Sequence, residues 1–89
     1  MLDREEIVRA LEHFNRYHSP EAVAELVSAS SGGFSVRFCG PFVLSCCLDE
    51  YFEDLKYDLL RIAGEGVEVD VEEVRRLKGE CFLVNYRLG

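Results

Sequence analysis

The 89 residues read as a single α+β domain, with two α-β-β units forming a four-stranded antiparallel sheet and both helices on one of its faces. Three observations predict this. The chain matches itself when shifted by 48 positions, with no gap needed from Ile7/Leu55 to Phe38/Tyr86. Two segments carry apolar residues at the helical period. Two others alternate apolar and polar residues as strands do.

In the shifted alignment Leu11 meets Leu59, Phe14 meets Ile62, Val23 meets Val71, Leu26 meets Val74, Phe34 meets Phe82 and Val36 meets Val84. Six aligned positions are identical, Glu5/Glu53 and Glu25/Glu73 among them. The apolar matches fall at helical spacing early in each half and at strand spacing late in each half. The halves are therefore read as residues 3–40 and 49–88 of one domain. A chain of this size buries roughly 60–65% of its unfolded surface, enough for one modest core.

Residues 3–17 form the first predicted helix, with Ile7, Ala10, Leu11, Phe14 and Tyr17 on one face. Asp3 and Glu6 fit a capping box, and the acids of the first turn favour the positive end of the helix dipole. Ser19-Pro20 interrupts the pattern. Residues 20–29 fit either a second helix capped by Ser19 or a helical turn leading into a strand, AVAELVSA. The repeat favours the strand, which turns at Ser30-Ser31-Gly32-Gly33 and returns as FSVRFC. Gly40-Pro41 ends that strand, since proline cannot continue a ladder. FVLSCC then serves as an apolar connector or a strand extension.

The second helix covers residues 49–63, with Leu48, Tyr51, Phe52, Leu55, Leu59 and Ile62 in one stripe and Asp49, Glu50, Glu53, Asp54 and Asp58 on the solvated side. Gly64 is a natural left-handed stop. Val67, Val69 and Val71 alternate as a strand, although Asp70 and Glu73 also fit the capping box of a short helix over 70–78. After a turn at Lys78-Gly79, CFLVNYRL places Phe82, Val84, Tyr86 and Leu88 on one face. The expected core is Leu11, Phe14, Val36, Phe38, Leu55, Leu59, Val84 and Tyr86.

The net charge is −7, made of 17 acids and 10 bases. Such a surface repels phosphate backbones, which argues against nucleic acid as a partner. Arg75, Arg76 and Lys78 form the one basic cluster and read as a solvated edge. No apolar run reaches the roughly 20 residues that span a bilayer. The acidic start MLDREE resembles neither a signal nor a transit peptide, so the expected compartment is the cytoplasm, with Cys39, Cys46, Cys47 and Cys81 reduced.

The stretch joining the halves, Cys39–Asp54, has no counterpart elsewhere in the chain. Gly40, Phe42, Cys46, Tyr51, Phe52, Glu53 and Asp54 match a pattern in which a G-x-F-C-x-x-C-G type turn precedes a D-Y-F-[DE]-D helix start. In this it resembles a family of small archaeal proteins with no assigned activity. Val43 stands where the first cysteine of that pattern falls, and Cys47 where a glycine falls, so a C-x-x-C pair is not kept here.

Cys39, Cys46, Cys47 and Asp49 are the candidate metal ligands, although C-x₆-C-C is not the paired spacing of structural zinc sites. Cys46 and Cys47 precede a helix N-terminus, which lowers a thiol pKa, while Asp49, Glu50, Glu53 and Asp54 at the same end raise it. His13 lies at the margin of the first helix's apolar face, and His18 suits a helix C-terminus. No Ser–His–acid or H-x₃-H pattern occurs.

Two function classes follow. The preferred one is a small cytoplasmic interaction module, a homodimer with neither cofactor nor catalysis. Its interface would use Val8, Tyr57 and Leu60, which point away from the sheet-facing stripes, with Leu83, Cys81 and Phe42 on the sheet's uncovered side. The alternative is a metal- or thiol-dependent site at the Cys39–Cys47 linker of a small enzyme or ligand-binding protein.

Overall fold

A computed structural model describes residues 3–44, 48–64 and 66–88 of the chain. The order is α1 (Arg4–His18), β1 (Val23–Ser30), β2 (Gly33–Cys39), a 3-10 turn (Pro41–Leu44), α2 (Leu48–Ala63), β3 (Val69–Arg76) and β4 (Cys81–Leu88). The strands form one antiparallel sheet in the order β1-β2-β4-β3. Both helices pack on the same face. The α+β class and the two α-β-β units are those expected.

α1 begins where its capping box predicts. Glu6 N–H donates to the Asp3 carboxylate at 2.9 Å, and Asp3 N–H donates to Glu6 Oε1 at 3.2 Å. Ile7, Ala10, Leu11 and Phe14 are buried. Tyr17, expected on the same face, is instead 69% exposed. Its ring lies beside that of His13, on the side of α1 that faces α2.

Residues 23–30 are strand, although local propensity favours helix there. The strand gains a full ladder with β2 from Val23↔Cys39 to Ser30↔Gly33, interrupted by one bulge at Val27. The second hairpin is likewise bulged, at Glu72. The short helix weighed for 70–78 is absent; residues 70–76 pair with β4 instead.

Central strands β2 and β4 place Phe34 opposite Tyr86, Val36 opposite Val84 and Phe38 opposite Phe82. Val36 and Val84 are also partners in the 48-residue shift, so the middle of the sheet pairs two residues that the repeat itself matches. The core lies between this strand pair and the helices, and all eight expected core residues are buried. Phe14 meets Phe38 edge-on at 5.5 Å, Phe34 and Tyr86 stack at 4.9 Å, and Phe52 contacts both Phe38 and Phe82. Tyr86 donates its hydroxyl to the Phe52 carbonyl at 2.9 Å. Burial, with the Glu53 charge adding to it, raises the Tyr86 phenol pKa well above the ordinary tyrosine range.

Phe42, expected on the open face of the sheet, is fully buried. Gly40, at φ +137°, turns the chain off the sheet toward the helices, and Phe42 N–H donates to the Glu21 carbonyl at 3.0 Å. Its ring then packs beside Tyr51 and Phe82. A β-carbon at position 40 would lie 2.4 Å from the Glu21 oxygen, so the tight passage requires glycine twice over.

The cysteines depart from expectation. Cys39 and Cys81 form a disulfide rather than two reduced thiols. They are directly opposed residues of β2 and β4, with Cα atoms 4.1 Å apart. Gly40 N–H bonds to the Glu80 carbonyl beside them, which marks a non-hydrogen-bonded pair whose side chains sit close together. Only the register between the halves brings them together; neither residue is informative alone.

Candidate functional site

The face of the sheet away from the helices is polar and internally satisfied. Ser35 donates its hydroxyl to Asn85 Oδ1 at 2.6 Å, and Asn85 Nδ2 donates to Glu73 at 2.9 Å, a relay across three strands. Arg37 pairs with Glu25, Arg75 with Glu73 at 3.6 Å and Arg87 with Asp70 at 3.9 Å. A polar depression of about 690 Å³ lies over Ser28, Ser35, Glu73 and Asn85. Cys81 and Leu83 are half-buried there.

The sheet edges are also protected. On β1, Asn15 reaches down from α1 and bonds both backbone groups of Ala24, accepting from its N–H at 2.7 Å and donating to its carbonyl at 2.9 Å. On β3, Asp70, Glu72, Glu73, Arg75 and Arg76 line an exposed strand. A capped edge and a charged edge both discourage strand addition.

The helix layer differs. A groove of about 360 Å³ between α1 and α2 is lined by His13, Tyr17, His18, Asp54, Tyr57, Asp58 and Arg61. Two histidine–aspartate pairs cross it: His13 Nδ1 to Asp58 Oδ1 at 3.1 Å, and His18 Nε2 to Asp54 Oδ2 at 3.4 Å. The first contact is close but poorly directed. His13 Nδ1 is enclosed and makes no aligned hydrogen bond, so the contact is a close approach rather than a formed hydrogen bond.

The helical pattern of α2 puts Asp58 on its solvated side, and the structure corrects this. Asp58 is 9% exposed because α1 lies across it and supplies His13; Arg61 stands 3.9 Å away. Around these pairs the groove carries exposed aromatic surface, with Tyr17 69% and Tyr57 57% exposed. His13 and Tyr17 rings lie 4.8 Å apart. At one end Tyr51 donates its hydroxyl to Glu21 at 2.7 Å, and this bond, with burial and the Glu21 charge adding to it, pushes the Tyr51 pKa up to about 12.

The expected site residues are dispersed. Cys39 is bonded to Cys81 on the open face and offers no free thiolate. Cys46 and Cys47 lie outside the described residues. Asp49 is exposed in the first turn of α2. Among the described residues no three His, Cys, Asp or Glu side chains converge as metal ligands. Of the interface candidates, Tyr57 is in the groove. Val8 is 39% exposed but stands on the flank of α1 beside Arg4, Glu5, Arg9 and Glu12. Leu60 is not free; it packs against the core, one turn after Lys56, which reaches Asp70 of β3.

The groove escapes a reading of each helix separately. Its signal lies in the pairing of α1 with α2: two histidines on one helix face two aspartates on the other. No helix is long and apolar enough to cross a membrane among the described residues. No protein-family model matches the chain, and no curated protein matches it by sequence.

Proposed function

We propose that the protein is a small interaction module that acts as a homodimer, uses its helix layer as the contact surface, and has no chemistry of its own. The observation that carries this reading is the gathering of Tyr17, Tyr57, Arg61 and two histidine–aspartate pairs around one groove. Tyrosine and arginine are the residue types most enriched where binding energy concentrates. The open sheet face has its polar groups engaged with one another, and both edges are protected, so the helix layer is the surface best equipped for a partner.

The same features speak for binding rather than catalysis. Asp58 is engaged by His13 of α1 across the groove and by Arg61 within α2.

The reading places the module in the cytoplasm. There the Cys39–Cys81 bond must form against a reducing thiol pool. The β2–β4 register favours closure by holding the two sulfurs opposite each other before they bond.

Light scattering of the untagged protein across micromolar concentrations tests the reading. A mass rising to twice that of the chain is the expected result. A monomer at every concentration up to the millimolar range would overturn it.

A further inference from the structure

Building on that reading, we propose that α2 packs antiparallel against α2 of a second copy, with Arg61 of each protomer seated against Asp54 of the other and Tyr57 near the two-fold axis. Asp54, Tyr57 and Arg61 follow one another at i, i+3 and i+7, so they share one outward face of the helix. That face carries an acid at one end, a base at the other and an exposed aromatic ring between them.

Such a row is complementary to its own reverse. Turning a second helix end for end about an axis at Tyr57 brings each arginine to an aspartate and the two tyrosines together. This is the relation a two-fold interface demands, in which residue i meets j and j meets i. The charges are available. The Arg61 side chain is 69% exposed and lies only at the limit of an ion pair with Asp58, at 3.9 Å. Asp54 is half exposed, and its contact with His18 is a loose 3.4 Å. Tyr17 of α1, on the near wall of the groove, adds a second exposed ring over which a guanidinium can lie. Each chain has a net charge of −7, so the two copies are not drawn together by overall attraction. Local pairing must supply both affinity and register.

Charge reversal tests this. Sedimentation equilibrium of Arg61→Asp and of Asp54→Arg, each checked for native circular dichroism, is expected to show dimerisation weakened at least tenfold, because each variant sets like charges opposite each other twice. Mixing the two variants restores a dimer of one copy of each, since an acid then faces a base at both contacts: the two substituted positions meet at one, and the two unaltered positions meet at the other. The double variant in one chain restores the homodimer. A wild-type dimer unaffected by either reversal, or a mixture showing no preference for the heterodimer, overturns the proposed interface while leaving self-association standing. A wild-type monomer overturns both.

Discussion

At the scale of single residues, the most informative positions are those that break their helix's pattern. Asp58 reads in sequence as one more acid on a charged face, yet it lies beneath α1 opposite His13. Nothing in α2 alone signals this, because the partner comes from the other helix. Asp58→Asn should lower stability by about 1 kcal/mol, the partly exposed partners limiting the loss; urea denaturation at neutral pH measures it. Tyr51 provides a spectroscopic check. Its phenol loses its proton near pH 12, held by the Glu21 hydrogen bond above the value near 10 of the unfolded chain. A raised pKa means that the protonated phenol is favoured by folding. This contribution is fully present below pH 10 and is lost as pH rises from 10 to about 12. Phenolate absorbance should show one transition near pH 12 that disappears in Tyr51→Phe and moves down in Glu21→Gln. A transition unmoved in Glu21→Gln would show that the hydrogen bond is not its cause.

At the scale of elements, periodicity placed both helices within a residue or two and identified the faces that enter the core. It left two segments open, residues 20–29 and 70–78, because their local preferences and their place in the matched pattern disagree. Tertiary pairing decided both. β1 and β3 each gain a ladder with a central strand, which outweighs the helix propensity of AVAEL and the capping box at Asp70. Asn15 shows how α1 then finishes β1: one amide satisfies both edge groups of Ala24. Asn15→Ala should cost about 1–2 kcal/mol by leaving both part-buried backbone groups of Ala24 without their partner, and amide exchange at Ala24 should speed up because its N–H has lost its acceptor. In the second helix, Leu59→Ala should cost about 2–5 kcal/mol in the same assay, because Leu59 is fully buried at the sheet–helix contact. A loss below about 0.5 kcal/mol would be the behaviour of a surface site.

At the scale of the whole molecule, the 48-residue register anticipated the sheet and its central valines but not the bond that crosses it. Cys39 and Cys81 come together only once β2 and β4 are paired, and the pairing of strands between halves is not visible in either half. The disulfide closes a separation of 42 residues. On the chain-entropy account, reduction should cost about 3–4 kcal/mol. Thermal unfolding with and without a dithiol reductant would show this, and Cys39→Ser should respond to the reductant no further. The open face, expected to be partly apolar, proved to be laced with hydrogen bonds, and Phe42 lies in the core instead. This directs attention to the helix layer, whose groove depends on two elements meeting and is therefore the part least legible from sequence. The central claim is that two copies meet there. Isotope-filtered nuclear Overhauser spectra of a mixture of labelled and unlabelled protein test it directly. The account predicts intermolecular contacts from the Tyr57 and Tyr17 rings to Arg61 of the second copy. Contacts confined to Val23 and Leu83 on the open face, or none at millimolar concentration, would contradict it.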